Sequence, residues 1–249
     1  MRVAATGAHR NHDGALVAES AKRIARSEGR RIAAEIARMF RLSDDLSPFY
    51  RRISGDERVG WAAAGAGRML ASPTVFEDVI KTICTTNCSW SATIRMTQAL
   101  VARGEGAFPE PEMLARTPDA WYRDVARMGY RGPYVKTIAR DVAAGTLDVE
   151  SMLDAARSDD DVEEALLALP GIGPYAAAHV MQLLGRHRRL VLDSWTRPTY
   201  ATLTNKKHVA DRTIERAFRS YGPYAGLAFW LFLTKHWVDD GPAIGELPR

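Results

Sequence analysis

The chain reads as an all-α protein, and three observations predict that class. Apolar residues recur at helical spacing along most of its length. Few stretches alternate as strands do, and Ser-Pro or Thr-Pro steps open several of the periodic runs. At 249 residues the chain is long enough to bury one large core or two modest ones. Its 34 Lys and Arg against 30 Asp and Glu leave a net charge of +4, a mild basic excess that suits a nucleic-acid partner. No apolar run reaches membrane-spanning length and the first residues lack the apolar core of a signal peptide. A cytoplasmic protein, lying with the nucleoid in a bacterium, is expected. Cys84 and Cys88 are the only cysteines, so no disulfide framework is indicated. Their i, i+4 spacing would give half a zinc site, but no second pair supports one, and they read as packing thiols.

Taken in order, residues 1 to 13 show no periodicity and predict a frayed tail. Ala15 to Phe40 reads as helical, with Arg23, Arg26, Arg30, Arg31 and Arg38 on a solvated face. Residues 1–41 thus form a tail and helix, 42–238 the main domain and 239–249 a second tail. Ser43-Asp44-Asp45 predicts a cap and Ser47-Pro48 another turn. Pro73 is expected at the first position of a helix through Phe76, Val79, Ile80 and Ile83, and a second helix at Ser91 to Ala102. Short helices follow near Pro111–Ala115 and Pro118–Arg127, then a turn at Met128–Pro133 and a helix from Tyr134 to Ala144. The last strong helix is expected at Pro223 to Trp237.

The most informative stretch is residues 159–198. Val162 to Leu169 is a periodic helix stopped by Pro170. Gly171 and Gly173 allow a tight hairpin through positive φ, and Pro174 opens a second helix, so the hairpin spans 162–185. The start of that second helix presents unpaired N–H groups and a positive dipole end, where a phosphate fits. Gly185 and the basic run Arg186 to Arg189 close it, and Leu190-Val191-Leu192 then delivers one acid, Asp193. On the residues alone, Asp193 also reads as the N-cap of a helix at Ser194–Ala201.

The Leu-Pro-Gly-apolar-Gly hairpin at 169–173, followed eighteen positions after Tyr175 by Asp193, resembles the helix-hairpin-helix family of DNA glycosylases. Ile83-Cys84-Thr85-Thr86-Asn87, Gly129-Tyr130-Arg131 with Tyr134-Val135, and Gly222-Pro223-Tyr224-Ala225-Gly226 resemble segments of the 8-oxoguanine and 3-methyladenine branch in the same order. The resemblance implies two helical subdomains with an active-site cleft between them, without a complete N-terminal β domain. It implies double-stranded DNA containing a modified base as partner, and a monomer. Gly171, Gly173 and Tyr175 would then meet DNA phosphate, and the Leu169 and Gly171 carbonyls a structural K+ or Na+. Asn87 would fill the gap left by an extruded nucleotide, Tyr130 wedge beside the orphan base and Arg131 bond its edge. Read without the family, these three are a helix-end cap, a half-buried ring and a solvated cation.

Departures from the family refine the expectation. Lyase members carry a nucleophilic Lys where this chain has Tyr175, and a phenol forms no Schiff base with the sugar, so a monofunctional hydrolase is implied, without AP-lyase activity. Asp193 would stabilise the positive charge that grows on the deoxyribose. Tyr175, His179, Trp195, Phe229, Trp90 and Trp230 are the implied base pocket, rich in aromatic faces. The four C-terminal cysteines of iron–sulfur members are missing, so no such cluster is expected. Two alternatives stand beside repair of modified bases: attack on hypermodified cytosine in foreign (for example phage) DNA, and non-catalytic DNA binding through the hairpin.

Overall fold

The computed structural model describes residues 2–6, 15–19 and 23–239. Eleven α-helices dominate these residues, and the only sheet among them is a two-stranded antiparallel ribbon. Strands β1 (Arg2–Thr6) and β2 (Ala15–Glu19) pair with Arg2 opposite Glu19 and Thr6 opposite Ala15. This corrects the expected frayed start and the helical reading of Ala15 onward. Val17 is the one β-branched residue of this stretch, and cross-strand pairing overrides a weak helical pattern. Residues 1 and 7–13 of the expected tail, residues 20–22 of the expected helix and residues 240–249 of the second tail lie outside the described residues.

The helices divide between two hydrophobic cores. Helices α3 (Val75–Thr85), α4 (Trp90–Arg103), α5 (Pro111–Arg116), α6 (Arg131–Ala143), α7 (Asp159–Leu167) and α8 (Pro174–Leu183) enclose the first, around Ile80, Ile83, Met96 and Val180. The second gathers α2 (Ser47–Ile53), α9 (Thr196–Leu203), α10 (Asp211–Phe218) and α11 (Ala225–Asp239) around Phe49, Phe218 and Phe229. Burying apolar side chains at ~25 cal/mol per Å² drives both bodies together.

Local chemistry explains the boundaries. Helix α3 starts after Thr74, whose hydroxyl accepts the Glu77 N–H at 3.1 Å, so Pro73 lies before the cap and not at the first helical position. The Glu150 carboxylate accepts the next orphan N–H groups, those of Val75 at 3.1 Å and Phe76 at 3.0 Å. A capping box between Ser158 and Asp161 opens α7. Helix α10 has only Ile214 and Phe218 facing inward, too few apolar positions to announce it in the sequence. Between α5 and α6 the chain makes one π-helical turn at Trp121–Val125.

Helix α1 (Arg26–Met39) is stitched to the first core through its last turns. Arg38, expected in solvent, instead pairs at 2.8 Å with Asp78, which is buried and also accepts the Ser72 N–H. Just beyond the helix, Arg41 donates to the Leu183 and Leu184 carbonyls at 3.3 and 3.0 Å, capping the end of α8. Arg186 likewise turns inward, to Asp159 at 2.9 Å and the Asp154 carbonyl at 2.8 Å. Much of the basic excess near the hairpin is therefore structural.

Candidate active site

The hairpin between α7 and α8 is built by one glycine of the expected two. Gly171 has φ +84°, and a Cβ there would sit 2.6 Å from the Tyr134 ring. Gly173, by contrast, has an extended backbone at φ −105°, a correction to the sequence reading. Nothing lies within 4 Å of where its Cβ would be, so its value is open space at the helix start. No side chain caps α8, and Pro174 carries no N–H, which leaves the Tyr175 and Ala176 N–H groups without a backbone partner beside that gap among the described residues. The Leu169 carbonyl accepts the Ile172 N–H at 3.2 Å, whereas no backbone bond to the Gly171 carbonyl is made among the described residues. Both keep a lone pair, which fits the oxygen chemistry of a hairpin cation.

Beyond α8 the chain turns at Gly185 and runs to Asp193 along the second core. Gly226 of α11 makes this close approach possible, because a Cβ there would overlap the Arg189 carbonyl at 2.0 Å, and its N–H donates to the His187 carbonyl at 2.8 Å. Asp193 thus stands on the segment that joins the two bodies. Its Oδ1 accepts the Trp195 and Thr196 N–H groups at 2.8 and 2.6 Å, and its own N–H donates to the Thr196 hydroxyl at 2.8 Å. Helix α9 begins at Thr196 with Trp195 as its N-cap, which corrects the expected cap at Asp193: the carboxylate ties the turn that leads into the helix. Oδ2 has no hydrogen-bond partner among the described residues, and the carboxylate lines a cavity of about 530 Å³ with Tyr175, Ala178, Leu192 and Arg197.

Around the acid, Tyr175 is half-buried and its phenol lies 3.2 Å from the Thr85 hydroxyl. Burial raises the Tyr175 pKa, the Thr85 hydrogen bond opposes that, and the Asp193 charge adds to the rise, so the phenol stays protonated at neutral pH. Burial lowers the His179 pKa, against the pull of Asp78 and Asp193, so the imidazole is neutral. Tyr175 and His179 stand one turn apart on α8 with ring centroids 6.0 Å apart. Arg197, missed in the sequence, grips Asp211 through two bonds of 2.8 and 2.9 Å and holds α9 to α10 beside the acid. Its only sequence signal was position, one helical turn after Asp193.

The expected aromatic pocket is partly redistributed. Trp195, 38% exposed, meets Trp230 and Trp237 with every centroid separation at 5.8 Å, and Trp237 was not anticipated. Trp90 is 70% exposed at the start of α4 and, with His179, lines a cavity separate from that of Asp193. Phe229 lines neither cavity. It is 1% exposed and packs against Phe218 at 5.2 Å in the second core, because α11 turns that face inward.

On the other side of the hairpin, Asn87 sits exposed at the end of α3 in the left-handed region, φ +44°. Tyr130 is 51% exposed. Arg131 departs from both sequence readings: it is buried, donating to the Thr86 carbonyl at 3.1 Å and the Asn87 carbonyl at 3.0 Å, with its guanidinium 4.5 Å from the Tyr130 ring centroid. It holds the turn that presents Asn87 and the ring that stands beside it. Tyr130 in turn packs edge-on to Tyr134 at 6.0 Å, and Tyr134 fills the space over Gly171. One continuous set of contacts runs from Asn87 to the hairpin.

Two helical bodies joined through a hairpin and the segment that follows it make up a fold shared with solved DNA glycosylases. The structure is similar to the 8-oxoguanine glycosylase/lyase of Clostridium acetobutylicum, in complex with double-stranded DNA containing cytosine opposite 8-oxoguanine (TM-score 0.70, 17% identity, 96% of this chain and 82% of that one). It is similar too to a 3-methyladenine DNA glycosylase from Archaeoglobus fulgidus (TM-score 0.71, 18% identity, 94% and 82%). A DNA-3-methyladenine glycosidase from Bacillus halodurans matches at TM-score 0.60 and 22% identity, over 79% of this chain and 93% of that one. No protein-family model and no curated protein matches the sequence.

Proposed function

We propose that the protein is a monofunctional DNA glycosylase, which draws a modified base out of duplex DNA and hydrolyses its N-glycosidic bond. The carrying observation is Asp193. One carboxylate oxygen is fixed by two backbone N–H groups, while the other is left to the cavity beside the hairpin. As the bond between C1′ and the base nitrogen breaks, the electron pair leaves with the base and positive charge grows on the sugar. A carboxylate fixed in place opposes that charge without having to reorganise. Water then adds its oxygen to C1′ and its proton ends on the base, giving a free base and an abasic site. Tyr175, protonated and bonded to Thr85, is a hydrogen-bond partner and not an amine nucleophile, which supports hydrolysis without strand cleavage.

On this reading, phosphate of the lesion strand docks at the Gly173, Tyr175 and Ala176 amides, and the Leu169 and Gly171 carbonyls would hold a K+ or Na+ that would supply positive charge there. Asn87 and Tyr130 occupy the gap in the duplex, and Arg131 keeps them there. Among the described residues no helix is long and apolar enough to cross a membrane. The test is base release from lesion-bearing duplexes, scored with and without alkali. Asp193→Asn is expected to abolish release, and nicking that needs no alkali would sink the hydrolase reading.

A further inference from the structure

Behind Tyr175 a second cavity, of about 320 Å³, opens between α3, α4 and α8. That is the lower end of the range for small-molecule sites, ~300–1,000 Å³. The Thr85 hydroxyl bonded to Tyr175 stands on its wall, so the two cavities share a partition beside Asp193. Five hydroxyl side chains line it, those of Ser72, Thr82, Thr85, Thr93 and Thr97, together with His179. Thr82 is 2% exposed and its hydroxyl has no partner, and neither His179 nor Thr97 makes a side-chain hydrogen bond among the described residues. Lys81 and Asp78 also line it, and both are ion-paired, Lys81 with Glu77 and Asp78 with Arg38. Trp90 stands exposed at the rim and offers a flat apolar face.

Such a lining sets hydroxyls and a charge-balanced acid and lysine in a largely apolar wall, and each hydroxyl both donates and accepts. A buried hydroxyl without a partner costs about 1–3 kcal/mol, which a ligand recovers only by supplying the missing bond. A purine changed by one methyl or one oxygen supplies at most one such bond. A substituent that itself carries hydroxyls supplies several, and a tryptophan face suits its C–H surface. We propose that this cavity receives a base bearing a neutral, hydroxylated substituent, a hydroxymethyl or sugar group, directed at Thr82, Thr97 and His179 beside Trp90. The proposal rests on the glycosylase reading and narrows it to one substrate class.

The experiment compares matched duplexes carrying 5-hydroxymethylcytosine, its glucosylated form, 8-oxoguanine or 7-methylguanine, with released bases quantified by mass spectrometry under single turnover. Duplex affinities are measured in parallel with Asp193→Asn. Release of a hydroxylated base is expected at least ~10-fold faster than of either purine. Thr82→Val and Thr97→Val are each expected to lower it ~2–10-fold, the worth of one hydrogen bond, and Thr82→Ser to restore it. Melting temperatures within a few degrees of the parent exclude misfolding. Release confined to the purines, or equal losses on all four duplexes, would overturn the cavity assignment and leave the glycosylase standing. Preferential binding of the hydroxylated duplex by Asp193→Asn, with no release by the parent, would keep the cavity and overturn the enzyme. Neither preference nor release overturns both.

Discussion

Arg131 reaches from the start of α6 to the carbonyl of Asn87, 3.0 Å away, and so fixes the backbone of a residue held at φ +44°. A buried guanidinium with this task is a positioning residue. Arg131→Met would leave the Thr86 and Asn87 carbonyls without their donor, at a cost of about 1–3 kcal/mol in stability. Chemical denaturation checks that figure. Excision should fall with it by a similar factor whichever base stands opposite, because Arg131 is engaged by protein carbonyls.

The two hairpin glycines should behave differently. Gly171→Ala meets the Tyr134 ring and a positive φ, so it should cost about 1–3 kcal/mol and loosen the packing that leads to Tyr130. Gly173→Ala has room and an unstrained backbone, so its melting temperature should stay near the parent's. Its affinity for undamaged duplex should nevertheless drop, because a methyl now stands before the amides where phosphate approaches. Equal DNA affinity for Gly173→Ala and the parent would move the phosphate site elsewhere.

Asp193→Asn separates the turn from the acid. The asparagine Oδ1 can accept the same Trp195 and Thr196 N–H groups, so unfolding should shift by no more than about 0.5 kcal/mol. The rate of base release should fall by at least ~100-fold, as when a transition-state charge partner is lost. Treatment with borohydride during turnover should trap no protein–DNA adduct in either form, since Tyr175 supplies no amine.

Acid should weaken the fold through His187. Burial first, and then the neighbouring Arg41 charge, lowers its pKa to about 4 from an ordinary value of 6.5. Between those values the unfolded chain binds the extra proton, so stability is complete above about pH 6.5 and falls as pH drops towards 4. Full expression of the shift is on the order of 3 kcal/mol. Melting temperatures from pH 7 to 4.5 should decline less steeply in His187→Gln than in the parent.

Most of the helices, the hairpin and the acid were legible because each is written in local chemistry: a periodic apolar face, a proline, a glycine followed by basic residues. What stayed hidden depends on partners far away in the chain. Arg38 and Arg41 look like solvated charges until Asp78 and the end of α8 are brought to them. Phe229 fits an aromatic pocket by count, yet helix rotation turns it into the second core. The β1–β2 ribbon needs a strand partner nine residues or more away, which no window centred on Ala15 contains. Trp237 belongs to the Trp195 cluster only through the packing of α11 against α9.

Asp193 belongs to neither core: the chain carries it along the segment that bridges them, held by α11 through Gly226 and by its own two amide bonds. Its distance from Tyr175 is therefore a readout of how the two bodies sit. Substitutions deep in either core, tens of residues from the reaction, would act like a misadjusted vice, parting the jaws while each jaw remains sound. In a random mutant library, many variants should lose catalysis at temperatures well below those at which they melt.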